Sequence, residues 1–267
     1  MAGLSISRAW DDTKAVLRRD GRLYATVALA LFVVPGVIAE LVTPAAPAGR
    51  LPTPGVWSIL SILALLVSLI GQLAVCRLAL GPVVSVGEAI GHAARRAPAY
   101  VASAIIWILP FLLLFALLAA RAGATPQTMS PGVALAILGL LIAFITVAVR
   151  LILASPVAST EPLGPVGILK RSWALTRGRW FKLFGFLLLF VIVLLIAMFA
   201  VSAVIGLLAA LLFGEIEPLS LGALLLSLAT QIVGATITTL LMIMLARIYA
   251  QLVGAEHAAY ASVPHAP

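Results

Sequence analysis

Three arginines stand at matching places in three similar strings: VCRLAL at Arg77, AVRLIL at Arg150 and LARIYA at Arg247, each alone in apolar sequence. A guanidinium presents a rigid fork of donors that fits phosphate or carboxylate, so the chemistry these positions offer is anion binding. A ring of the three could hold lipid phosphate or close a central cavity. The plainer reading is that each snorkels to the headgroup level from the end of a membrane span. Gln72 and Gln231 also lie in apolar runs. Polar groups in lipid are costly without a partner, which gives both an interhelical hydrogen-bonding role. Thr230, Gly234 and Thr238 recur every fourth residue and form a small-residue packing face. Trp10, Trp173 and Trp180 fit interfacial anchors, since indole joins an apolar body to a polar edge. For Trp10 and Trp173 a shared partner-docking role is the alternative.

Catalytic chemistry has little to start from. The chain has nine Asp and Glu residues and three His, and no carboxylate is expected inside a span. His92 falls on a polar helix face and His257 and His265 fall in the tail, so all three are expected in water. Ser7, Ser85 and Ser172 have no base nearby in sequence, so a nucleophile argument cannot begin. Cys76 is the one cysteine and lies in an apolar run, where it acts as a small hydrophobe. No glycine-rich phosphate loop follows a strand. The expectation is no enzyme, no catalytic residue, no cofactor and no metal site.

The elements that position these residues follow from composition. Of 267 residues, 63% are hydrophobic and 10% charged, against roughly 25% charged in an average soluble domain. Mean hydropathy is +1.21. Six apolar runs are long enough to cross a hydrocarbon core: Leu23 to Val42, Trp57 to Leu80, Val101 to Ala120, Val133 to Ala154, Phe181 to Phe213 and Leu221 to Val253. The last two exceed the roughly 20 residues of a straight span and must tilt, kink or extend beyond the hydrocarbon. Thr43 to Gly55 and Gly123 to Gly132 are rich in Pro, Gly and Thr and serve as loops. With the N-terminus inside, 15 of the 17 Lys and Arg residues fall on the cytoplasmic side, leaving Arg50 and Arg121 outside. That bias predicts a bacterial inner-membrane protein with both termini cytoplasmic. The outer segment GEIEP, with Glu215 and Glu217, agrees. The net charge of +8 flanks spans instead of covering a soluble face, so nucleic acid is not an expected partner.

The segments before three of the spans resemble one another. RAWDDT at Arg8 to Thr13 matches RSWALT at Arg171 to Thr176, and each leads through a basic stretch into a span, RRDGRLYATVALALF and TRGRWFKLFGFLLLF. A weaker copy, GEAIGHAARRAPAYVASAII, begins at Gly87. Helical spacing puts Ile6, Ala9, Trp10 and Thr13 on one stripe, Val86, Ala89, Ile90 and Ala93 on the next, and Leu169, Ser172, Trp173 and Thr176 on the third. The charges fall off these stripes, so each segment reads as an amphipathic helix with its basic face toward anionic headgroups. The expected fold is an all-α membrane protein of six transmembrane helices and three cytoplasmic amphipathic interfacial helices. It would form a single integral membrane domain over 1–267, built of three parallel two-span repeats at about 4–82, 83–156 and 163–253, with a tail at 254–267.

The string ILKRSWALTRGRWFKLFGFLLL resembles the Ser-Trp, Leu-Thr, Gly, aromatic signature of the glycerophosphoryl diester phosphodiesterase membrane-domain family, whose relatives include uncharacterised bacterial six-span proteins. The resemblance implies a membrane architecture. It does not imply hydrolysis, because a barrel enzyme of that kind needs roughly 250 residues of its own. The function expected is a non-enzymatic polytopic membrane protein that binds or organises anionic lipids or partner membrane proteins. A transporter or channel for a small or lipidic solute is the alternative, since internal repeats are common in transporters.

Overall fold

The computed structural model describes residues 4–44, 53, 55–80, 84–121, 130–213 and 220–261, and those residues form helices with no strand among them. The loop around Arg50, the segment 122–129, the acidic pair Glu215 and Glu217, and His265 lie outside the described residues, as does the side chain of His257. Six helical stretches are long and apolar enough to cross a membrane, and the chain is a multi-pass membrane protein.

The first stretch joins α1 (Ile6–Ala28) to α2 (Val34–Val42) through a π-helical turn, Leu29–Val33. Ser5 caps α1, its hydroxyl accepting from the Arg8 N–H at 3.3 Å. Pro35 explains the wide turn. It has no N–H for the Leu31 carbonyl four residues back, and its ring crowds that carbonyl. The freed Leu31 oxygen accepts from Ser68 of α3 (Val56–Leu80) at 3.4 Å.

Helix α4 (Val86–Arg121) starts at a reciprocal cap, Glu88 N–H to Ser85 Oγ at 3.2 Å and Ser85 N–H to the Glu88 carboxylate at 2.9 Å. It contains both Pro98 and Pro110. Helix α5 (Pro131–Arg150) begins with proline at its first position and ends at a turn before α6 (Ala154–Thr160), a short helix buried from Ala154 to Ser159. Then come α7 (Pro165–Thr176), α8 (Trp180–Phe213) and α9 (Leu221–Ala261). Gly178, at φ +76, separates α7 from α8, a backbone conformation that other residues resist. Of the segments expected as separate helices before the spans, the third is set off from its span by the turn at Gly178 and the first by a kink, while the second is continuous with its span. In the first copy the backbone leaves helical geometry at Asp20 (φ −123, ψ 18), whereas in the second the helix continues through Pro98.

The core gathers at one end of the bundle, where Leu73, Val149, Leu153, Ile168, Leu175, Leu183 and Ile243 are fully or almost fully buried. From Leu187 to Leu208 no residue of α8 is buried. Lipid tails are as apolar as leucine, so helices gain little by hiding such a face from lipid. Close fit and hydrogen bonds hold the packed end, and they are where the site lies.

Candidate functional site

Helix α7 is fastened to the last carbonyl of α5. The Arg150 carbonyl oxygen, left without a helical donor at the end of α5, accepts from the buried Ser172 hydroxyl at 3.1 Å. The Thr176 hydroxyl lies 3.0 Å from the same oxygen and 3.0 and 3.1 Å from the Ser172 and Trp173 carbonyls of its own helix, so its one proton is shared among three acceptors. The Arg150 guanidinium returns a bond to the Thr176 carbonyl at 3.0 Å and sits 5.4 Å from the Trp173 ring centroid. That arrangement is a cation–π contact. All three signature residues of Ser-Trp-x-x-Thr thus touch one arginine.

Each stripe divides in two. Ala9 and Thr13, Ala89 and Ala93, Ser172 and Thr176 are buried against the bundle, whereas Trp10 is 42% and Trp173 45% exposed. Small residues let the helices approach closely and leave the indoles outside. Trp180 is half-buried, donates to the Thr146 carbonyl at 3.4 Å and stacks on Phe184 at 4.9 Å. The packing of α8 against α5 captures its polar edge.

A second cluster is not visible in the sequence. Arg171 grips Glu256 with both terminal nitrogens, at 2.8 and 3.3 Å, and Glu161 with Nε at 3.0 Å. The Tyr249 hydroxyl donates to Glu161 at 2.7 Å. Arg96 donates to the carbonyls of Ala158, Glu161 and Leu163 at 3.0, 2.6 and 2.8 Å, and His92 Nε2 meets the Ser159 carbonyl at 2.9 Å. Elements α4, α6, α7 and α9 are so clasped around residues 158–163. Bonding to Glu256, then to Glu161, raises the Arg171 pKa above its ordinary value despite partial burial. His92, expected in water, is half-buried against α6. The one hint in the sequence is the isolated acid in ASTEPLGP, between the second and third units.

The remaining candidates are dispersed. Arg77 is half-buried at the end of α3 and Gln72 is half-buried about one turn before it. Arg247 has its Nε buried with no partner, as does Nε2 of Gln251 one turn later. The Gln251 oxygen accepts from the Ser5 N–H at 3.3 Å. No side chain or carbonyl bridges two of Arg77, Arg150 and Arg247 among the described residues. At the opposite end of the bundle, Gln231 donates to Glu40 at 3.1 Å and Ser227 donates to it at 2.8 Å. Glu40 corrects the expectation of spans free of carboxylate, for it closes the first apolar run and joins α2 to α9. Gly36 makes room: a Cβ there would overlap the Gln231 side chain. Gly234 of the small-residue face lies against Met198, whose Cε an added Cβ would meet at 3.0 Å. Cys76 is buried, with Sγ 3.9 Å from Ser155 Oγ, and no cluster of three His, Cys, Asp or Glu occurs among the described residues.

Two grooves open at the packed end. One, of about 560 Å³, is lined by Leu151, Leu169, Lys170, Trp173, Ala174 and Arg177. Another, of about 480 Å³, runs under Ile6, Ser7 and Trp10 along Phe186, Phe190 and Met244 of α8 and α9. The first offers cations beside an apolar floor, an arrangement that can hold an anion with a hydrocarbon attached. Residues 4–252 match a family described as a domain of unknown function (DUF7847). No curated protein and no solved structure matches the chain.

Proposed function

We propose that this chain, which belongs to the DUF7847 family, is a non-enzymatic protein of the bacterial inner membrane that binds anionic lipid at its cytoplasmic face and organises lipids or partner membrane proteins there. The observation that carries this reading is the division of labour at the packed end. Arg96, Arg150 and Arg171 are engaged by carbonyls and carboxylates of the bundle, while exposed Arg18, Lys170, Arg177 and Lys182 stay on its outside. Basic residues at a cytoplasmic membrane boundary attract anionic headgroups, and the exposed Trp173 lines a groove together with Lys170 and Arg177. The resemblance of ILKRSWALTRGRWFKLFGFLLL to phosphodiesterase membrane domains enters as an architecture without hydrolysis.

The three-unit reading draws support from the order of packing. Helix α7 packs on the arginine-bearing end of α5, and α1 on α9, its Ser5 N–H reaching Gln251, so the first and third opening segments each lean on the close of another unit. A transport pathway would need Gln72, Gln231, Thr146 and the three arginines around one polar channel. Gln231 is instead committed to Glu40, and Thr146 donates to Ile142 of its own helix while its carbonyl accepts from Trp180. The central residues Leu73, Val149, Leu153 and Ile243 are apolar and buried.

Reconstitution into phosphatidylcholine vesicles with and without phosphatidylglycerol tests the reading. Anionic lipid is expected to be enriched around the protein, as reported by spin-labelled lipid, with no flux of ions or small organic solutes. Solute flux without lipid preference would replace the binding function by transport.

A further inference from the structure

Adding 163 to each residue of the first signature helix gives its counterpart in α7, and the same face of both helices lines a groove. Ile6, Ser7 and Trp10 line one; their counterparts Leu169, Lys170 and Trp173 line the other. The grooves differ in charge. The lining of the α1 groove carries no charged residue; Lys14, the counterpart of Arg177, is not part of that lining and pairs with Asp11 at 2.8 Å, and the counterpart of Asp11 is Ala174. Ser7 is replaced by Lys170. Neither Lys170 nor Arg177 forms an ion pair among the described residues, and both are exposed. Residues 170, 173 and 177 follow the i, i+3, i+7 spacing of one helix face, so two cations flank an indole. Arg150 is already held under that indole by Thr176. The lining holds no carboxylate, and Leu151 and Leu169 supply its apolar floor.

We infer that this α7 groove is a binding site for an anionic phospholipid, with the phosphate between Lys170 and Arg177 at the edge of Trp173 and an acyl chain along Leu151 and Leu169. The inference rests on the lipid-binding reading above and gives it a place. Charge complementarity selects the occupant: two unneutralised cations call for an anion, and the apolar floor beneath them calls for a hydrocarbon attached to it. The α1 groove, with Ser7 in place of Lys170 and no cation in its lining, takes acyl chains without selecting the headgroup.

The test compares retention of phosphatidylglycerol and phosphatidylcholine by the purified full chain in native mass spectrometry, supported by spin-labelled lipid in vesicles. Lys170→Ser with Ala174→Asp copies the α1 pattern into α7, and both positions are exposed, so an unchanged unfolding midpoint verifies folding. The preference for phosphatidylglycerol is expected to fall about tenfold, as loss of one to two cationic contacts implies. Ser7→Lys with Asp11→Ala is expected to create a second selective site at α1. A wild-type preference that survives Lys170→Ser/Ala174→Asp overturns the groove assignment and leaves the functional reading standing. Absence of any preference in the wild type overturns both. Displacement of the lipid by soluble glycerol phosphate at matched concentration assigns the groove to a soluble phosphate and overturns the lipid.

Discussion

Helices α1 and α7 carry the same signature and bury the same positions, yet their later courses differ. Ala9 and Thr13 in one, and Ser172 and Thr176 in the other, are fully buried, so the seating of both follows from small residues four apart. Each then meets a Gly-Arg pair, Gly21-Arg22 and Gly178-Arg179. In α1 the break is a kink at Asp20, with φ −123 and ψ 18, from which a second helical piece starts at once. At Gly178 the backbone turns left-handed and the helix stops. The lesson is that the face a segment presents and the place where it bends are encoded by separate residues. One can diverge while the other is kept.

The comparison can be broken most severely at the shared face. Ser172→Leu is expected to cost about 2–4 kcal/mol, from overpacking plus a lost hydroxyl bond, read as a lower unfolding midpoint in detergent. Ala9→Leu should cost slightly less because it loses no hydrogen bond, and tolerance of leucine at either position would end the equivalence of the two faces. Next comes the clasp. Arg171→Ala is expected to destabilise by about 1–2 kcal/mol, a charge-assisted value reduced for its partial exposure. Its counterpart Arg8 is exposed, and Arg8→Ala should change the midpoint by less than about 0.5 kcal/mol. Gly178→Ala should cost about 1–2 kcal/mol through its left-handed backbone alone, since an added Cβ meets nothing within 4 Å. Gly21→Ala, directly after the kink at Asp20 and equally uncrowded, should be neutral or gain up to about 1 kcal/mol. The smallest effect sharpens the contrast in charge: Asp11→Ala removes an exposed pair spaced three residues apart and should cost about 0.3–0.5 kcal/mol.

The spans were legible because uncharged length is a strong and local signal, and the RAWDDT and RSWALT strings pointed to helices that do bury a stripe. Only half of each stripe meets the bundle. Hydrophobicity ranks tryptophan above serine, but in a lipid solvent the residue that seats a helix is the small one that allows contact, which is why Ser172 is buried and Trp173 is not. The clasp escaped because Glu161, Tyr249 and Glu256 are scattered along the chain, and only the fold brings them to Arg171. Glu40 escaped for the opposite reason: a lone acid near the end of an apolar run looks like the edge of a span, and its partners Ser227 and Gln231 lie 187 and 191 residues away. Helix α6 is short and free of charge, so no periodicity marked it, although it supplies the carbonyls that hold Arg96 and His92.

The wide turn at Leu29–Val33 places one surplus residue in a rod that otherwise advances by about 100° per residue. Everything beyond it, Glu40 included, is dialled round by that angle toward α9. Excising a single residue from the turn would leave composition and hydrophobic length almost untouched, yet point the carboxylate at hydrocarbon. The alignment of the far end of this bundle therefore hangs on a count of residues, set by one proline that cannot donate.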